Sequence, residues 1–223
     1  MRGTILARTL LGLAVLMLVG ATALAQDNNS IITINGGTTA VMMKAPSLVV
    51  NHKNKPPCLA AGFYDNYQPA GCSYRTGIGW EASDGLVGFP EATPGNKIVS
   101  LKSGITMAIR VGVSLGVGSN DAIVILDNDC GGIPCGIIDK TNICKGTIQG
   151  LPKFGKSNVV MESFRCVAQL VKGKAYWVYI QSLANSQVVW NFSQGAVGGF
   201  VYGNNDVWQP PVSGQPVGAL QIF

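Results

Sequence analysis

Apolar and polar residues alternate strictly from Met107 to Leu115: Met107, Ile109, Val111, Val113 and Leu115 stand in step, with Ala108, Arg110, Gly112 and Ser114 between them. A period of two puts successive side chains on opposite faces of an extended chain, so this stretch is expected as one strand with a buried and an open face. A second, more aromatic pattern fills residues 170–192, LVKGKAYWVYIQSLANSQVVWNF. Lys172-Gly173-Lys174 reads as a polar turn, after which Tyr176, Val178 and Ile180 point to one side of a strand and Trp177 and Tyr179 to the other. Ala184-Asn185-Ser186 gives a polar reversal, and Val188, Trp190 and Phe192 line one face of the strand that returns. Two strands this aromatic need a second layer to cover them. The pattern predicts the central hairpin of a β-sandwich.

Residues 122–126, AIVIL, are apolar on both sides, as in a strand covered on both faces, and end in a turn-rich run from Asp127 to Cys135. Shorter strand candidates lie at 31–34, 46–50, 159–161, 167–171, 199–202 and 218–223. Gly79-Trp80 and residues 83–96 are punctuated by glycine and proline and read as loops after a short strand. Residues 51–72 read as a long irregular segment. No stretch carries helical periodicity, and 29 glycines weigh against long helices. The expected fold is all-β, an antiparallel, jelly-roll-like β-sandwich with disulfide-stapled loops. Residues 97–223 form its core, and 26–96 supply N-terminal strands and a long closed loop of the same domain.

Residues 1–25 stand apart. Arg2 and Arg8 make a basic start, residues 10–19 are apolar, and Ala23-Leu24-Ala25 is a small-residue cleavage signature before Gln26. The apolar run is shorter than a comfortable membrane span. A cleaved signal peptide is expected, leaving no stable span and a secreted location at the cell surface, in the medium or in the periplasm. Of 16 Lys and Arg, removal of Arg2 and Arg8 leaves 14 against 11 Asp and Glu, a balance of +3. The basic residues are scattered, so no nucleic-acid partner is expected.

All six cysteines, Cys58, Cys72, Cys130, Cys135, Cys144 and Cys166, lie beyond the leader. An even count in an exported chain predicts disulfides, and neighbour pairing is the expectation among several connectivities: Cys58–Cys72, Cys130–Cys135 and Cys144–Cys166. The first would staple the irregular segment and contribute roughly 3 kcal/mol on the entropic account. A zinc site is the poorer reading, since no C-x-x-C pair occurs and His52 is the sole imidazole.

The sharpest chemical candidate is Asp127-x-Asp129-x-Gly131. Carboxylates two apart in a tight loop can present oxygens to Ca²⁺. The run lacks a third side-chain ligand and a distal glutamate, so a strand-end turn accounts for it better, and no cofactor is expected. Cys130 and Cys135 read as a staple and not a redox pair, because no C-x-x-C opens a helix. His52 sits near Lys53 and Lys55, and no G-x-S-x-G occurs, so nucleophilic catalysis finds no support.

Glu81, Asp84 and Glu91 are the one acidic cluster suggestive of a glycan hydrolase, which needs two carboxylates across a cleft; a solvated loop explains them as well. Sugar recognition would use exposed rings as platforms, for which Tyr64, Tyr67, Tyr202 and Trp208 are the candidates, while Trp177 and Trp190 fit a core. Asn28-x-Ser30 and Asn191-x-Ser193 match the glycosylation sequon, the second inside a strand.

The order of signals from residue 97 onward has a further meaning. An alternating strand leads to one ending in Gly131-Gly132-x-Pro134, then to Leu151-Pro152-Lys153-Phe154-Gly155 and Leu170-x-x-Gly173-x-x-Tyr176-Trp177-Val178. Trp190-Asn191 with a glycine-rich segment, Trp208 and a terminal apolar strand complete it. This order resembles exported bacterial β-sandwich proteins of the choice-of-anchor type, particularly choice-of-anchor R. The resemblance implies a secreted or surface sandwich with no catalytic residues and no settled activity. Members of that family often end in a sorting tail, whereas this chain ends at Gln221-Ile222-Phe223, a departure that puts tethering in doubt and leaves both secretion and assembly into a surface structure open.

The expected function is therefore that of a non-catalytic secreted component of an extracellular surface or matrix, or an adhesion protein. Polysaccharide or other cell-surface material is the expected partner class. A carbohydrate-binding module is the alternative, and a secreted glycan-active hydrolase the less favoured one.

Overall fold

The computed structural model describes residues 30–34, 38–44, 62–66, 74–87, 90–136, 142–156, 162–204 and 207–223. The leader, Asn28, His52, Cys58, Tyr67, Cys72 and the strand candidates at 46–50 and 159–161 lie outside them. The chain forms β1 (Ser30–Ile34), β2 (Thr38–Lys44), β3 (Tyr64–Asp65), β4 (Tyr74–Asp84), β5 (Thr93–Val99), β6 (Gly104–Val111), β7 (Val113–Val117) and β8 (Ala122–Asn128). There follow β9 (Cys144–Ile148), β10 (Glu162–Leu170), β11 (Ala175–Ser182), β12 (Ser186–Asn204), β13 (Val207–Trp208), β14 (Val212–Gly218) and β15 (Leu220–Ile222).

One sheet runs β1-β2-β4-β12-β5-β11-β8-β9, with β7, β13 and β14 joined to β12; a smaller one runs β10-β6-β15-β3. The ladders are antiparallel. The expected all-β sandwich is what forms. Its main core lies where Ile109, Val111, Leu170 and Ile222 of the small sheet meet Val124, Leu126, Tyr176, Val178 and Ile180 of the large one. Trp177 and Tyr179, on the opposite face of β11, join Ile125, Val201 and Trp208 in a second cluster. Alternation along β11 is as the sequence predicts, with both faces covered.

The expected hairpin does not form. β11 pairs with β5 along one edge and β8 along the other. The start of β12 pairs with β4 and β7, and its later part with β5. The reversal at Asn185 is present, with φ 56° and its N–H on the Asp84 carbonyl at 2.7 Å. It delivers the chain to β4, because both edges of β11 are already occupied. The two candidates at 188–192 and 199–202 belong to one strand of 19 residues.

The strand expected at 107–115 is also divided. β6 lies in the small sheet and β7 in the large one, and the chain passes between them at Gly112. The Gly112 N–H donates to the Ala219 carbonyl at 3.1 Å, and its carbonyl accepts the Asn191 N–H at 2.8 Å and Asn191 Nδ2 at 3.1 Å. Ala219, between β14 and β15, donates its N–H to the Asn191 carbonyl at 2.8 Å. The register of β12 against β4 shifts between Asn191 and Ser193. Three segments thus change partners around one point, as strands do where they cross between packed sheets. Met107, expected inside, is 56% exposed. Opposite it β10 carries an extra residue between Arg165 and Ala168, and at this bulge the inward position passes to Thr106.

Residues 83–96, expected as loops, contribute the end of β4 and half of β5. Gly85 is a turn glycine with φ 64°, whereas Gly79 and Gly95 serve packing. A Cβ on Gly79 would stand 2.4 Å from the Trp190 carbonyl oxygen, and one on Gly95 2.9 Å from Val201 Cγ2. Glycine inside a sheet marks such close approach, which a sequence pattern cannot tell from a turn.

Two disulfides of the expected neighbour set are present. Cys130–Cys135 closes the turn after β8, and Cys144–Cys166 joins β9 to β10, the edge strands of the two sheets. The second staples one open side of the sandwich. No helix among the described residues is long and apolar enough to cross a membrane.

Gly218 gives the sharpest packing test. A Cβ there would stand 2.3 Å from the fully buried Trp190 ring. Forced overpacking of a filled core costs about 1–3 kcal/mol. Gly218→Ala is expected to lower the unfolding free energy by that amount, read as a lower urea midpoint with an unchanged m-value; an unmoved midpoint would show that Trp190 yields freely.

Candidate functional site

The turn after β8 is built from the two aspartates, and both are engaged by protein donors. Asp127, fully buried, accepts the Asn128 N–H at 2.8 Å on Oδ1 and the Gly136 N–H on Oδ2. Asp129 Oδ1 accepts the Trp177 indole N–H at 2.6 Å and pairs with Lys97 Nζ at 3.2 Å. Lys97 Nζ also lies 5.6 Å from the centre of the Trp177 ring. The glycines that follow take positive φ, 71° at Gly131 and 101° at Gly132, as a tight turn requires. Among the described residues no group of three or more His, Cys, Asp or Glu side chains could hold a metal ion. The geometry is that of a strand-end turn locked to β11 and β5.

The acidic cluster of the sequence is dispersed. Glu81 faces inward on β4 and is fully buried, whereas Asp84, at the opposite parity on the same regular ladder, is exposed. Glu91 is half-buried in the β4–β5 connection. Two carboxylates do not face each other across a cleft here. Burial pushes the Glu81 carboxyl above its ordinary value, opposed by Gln187 and Ser83. Those two side chains approach its oxygens without reaching full hydrogen-bond geometry. The sequence signal for this residue, an acid between glycine-punctuated segments, reads as a surface loop and so misses its burial.

The ring candidates are likewise internal. Tyr202 is 2% exposed, tilted against Phe200 at 6.1 Å, and Trp208 is 8% exposed, edge-on to Tyr179 at 5.1 Å. Neither stands as a platform for a sugar face. Tyr64 is half-buried on β3 against the main core, and burial pushes its phenol up, with the Asn66 hydrogen bond opposing and the Asp65 charge adding. Asn191, of the second sequon, is fully buried and donates to Gly112 and to Ser114 Oγ at 2.7 Å, so its amide is closed to modification.

One groove that the sequence does not announce opens on the large sheet where β2, β4, β12 and β14 meet. It has a volume of about 210 Å³ and is walled by Met42, Ile78, Phe192, Val197 and Pro216. Two irregularities create it: β4 bulges between its pairings with Asn191 and Ser193, and β12 bulges between its pairings with Gly218 and Pro216. Pockets that enclose a drug-sized ligand run to roughly 300–1,000 Å³, so this one suits a single aliphatic group or ring. Protein-family models, curated proteins and solved structures were compared with the chain, and none matches it.

Two outcomes follow from these environments. The folded chain holds the Glu81 proton to a higher pH than the unfolded one, so stability falls as pH rises from about the ordinary value of 4.5 through the raised one. Glu81→Gln removes that dependence: in urea unfolding from pH 4 to 8 its advantage over the native chain should grow across this window and then level off, and parallel profiles would contradict it. Because Asp127 and Asp129 are already engaged, millimolar Ca²⁺ or EDTA should leave the melting temperature unchanged; a Ca²⁺-dependent rise would restore the turn as a cation site.

Proposed function

We propose that this chain is a secreted, non-catalytic β-sandwich that serves as a surface, matrix or adhesion component outside the cytoplasm. The observation that supports this reading is that candidate acids and rings among the described residues are used in the frame itself. Asp127 and Asp129 anchor a turn, Glu81 is enclosed, and Tyr202, Trp208 and Trp177 are packed. The two disulfides are compatible with an oxidising compartment. The resemblance to choice-of-anchor sandwiches in the order of strands and glycine turns supports the same reading. Polysaccharide and other cell-surface material form the partner class that fits it.

The test uses the oxidised protein with isolated cell envelopes and with soluble polysaccharides. Sedimentation with envelopes, no release of reducing sugar and no change in tryptophan fluorescence are expected. Sugar release would identify a hydrolase instead. Saturable retention on one polysaccharide with a fluorescence shift would select a carbohydrate-binding module.

A further inference from the structure

Large apolar side chains gather on the outer face of the small sheet. Ile105 and Met107 of β6 are 59% and 56% exposed, Val167 of β10 52%, and Leu101 and Val171 in the adjoining turns 60% and 48%. In the β10–β6 ladder Gln169 lies opposite Ile105 and Leu170 opposite Gly104, and Met107 and Val167 fall together in the register shift between the Arg165–Ala108 and Ala168–Thr106 pairs. The two turns are tied together by the Gly173 N–H on the Ser100 carbonyl at 2.8 Å and the Lys172 N–H on Ser103 Oγ at 2.9 Å. The Val171 N–H is held by the Tyr176 hydroxyl at 2.9 Å, so this surface is preformed. Single exposed apolar residues need no explanation, whereas a contiguous group points to an interaction.

Charge decides what it meets. Residues 99–110 and 164–178 contain Lys102, Arg110, Arg165, Lys172 and Lys174 and no Asp or Glu. Lys102, Arg165 and Lys172 are exposed, as is Lys174, whose Nζ donates to Asn128 Oδ1 of the large sheet at 3.0 Å. The carboxylate of Asp65, on the far strand of the sheet, accepts Gln221 Nε2 at 3.2 Å. The apolar members are all aliphatic, while protein-binding hot spots centre on Trp, Tyr and Arg seated in pockets. Flexible lysine stems around a flat aliphatic surface let the ammonium groups reach outward while the apolar centre is buried.

We propose that this face seats on an anionic lipid surface, with Leu101, Ile105, Met107, Val167 and Val171 entering the acyl boundary and Lys102, Arg165 and Lys172 meeting the phosphate headgroups. The proposal rests on the surface-component reading and deepens it by naming the material bound. Cations beside an anionic leaflet add attraction that fades within a Debye length.

Co-sedimentation of the full, oxidised chain with vesicles tests it. Vesicles of phosphatidylcholine with phosphatidylglycerol should carry the protein down, phosphatidylcholine alone should not, and high salt should release it. Each lost cation is expected to reduce partitioning about fivefold, so Lys102→Gln with Lys172→Gln should lower it by about 25-fold. Ile105→Thr with Met107→Thr, which keeps β-propensity on exposed positions, should weaken it as well. Val87→Ser, in the connection before β5 and away from this face, should change nothing. Melting curves establish that each variant is folded. Equal binding to phosphatidylcholine alone, or variants that partition like the native chain, overturns the proposal. Sedimentation with envelopes or an acidic polysaccharide but not with anionic vesicles overturns it too, and leaves the surface-component reading standing. Glycan hydrolysis would remove that reading and the proposal together.

Discussion

The sandwich depends on satisfying peptide groups where three segments change sheets away from water. At Gly112, Asn191 and Ala219 the regular ladders stop, yet all three residues are buried. A buried peptide group left without a partner costs about 1–3 kcal/mol, so several together would undo the fold. The chain closes them on one another in a ring: Gly112 N–H to Ala219, Ala219 N–H to Asn191, and Asn191 N–H to Gly112. Buried amides complete the set. Asn66 Nδ2 and Asn96 Nδ2 both donate to the Gly218 carbonyl, at 2.8 and 3.1 Å, and Asn66 Oδ1 accepts the Leu220 N–H at 2.9 Å. Trp190 Nε1 donates to the Ala219 carbonyl at 3.1 Å. A single Trp190 ring therefore fills the core and caps a strand corner.

That constraint explains where chemistry can and cannot reside. Side chains near the crossing are committed to holding strands, and those at the β8 turn to locking it against β11. The large sheet buries both faces of β11, so its aromatic rings, the most conspicuous letters in the sequence, are structural. Among the described residues, the small groove between two bulges and the aliphatic, lysine-rimmed face of the small sheet stay open. Cys144–Cys166 fixes β10 to β9 at the edge of that face, so its shape is set by a covalent tie as well as by packing.

Much of the architecture was legible before any coordinates. Alternation at Tyr176–Ile180 gave the correct partition of rings between two faces, apolar residues 122–126 gave a central strand, and Gly173 gave a turn, with φ 79°. The acidic and aromatic candidates were misjudged for one reason. Glu81, Tyr202 and Trp208 each lie within two residues of a glycine or proline, and such neighbours suggest a loop; here Gly79, Gly95 and Gly203 instead make room for Trp190, Val201 and Trp208. Sequence pattern reports local conformation, and these glycines answer to contacts distant along the chain.

The class of the fold, the strands with strong period-two patterns and the cysteines that pair as neighbours were all readable from residue order, because they follow from backbone geometry and solvent partition within a few residues. Only the tertiary structure decided which strands pair, that 107–115 splits between two sheets at Gly112, and that the segment 170–192 is two non-adjacent strands and not a hairpin. Strand neighbours are chosen by which edges are already hydrogen-bonded. For β11 that choice was made by β5 and β8, about 80 and 50 residues earlier in the chain.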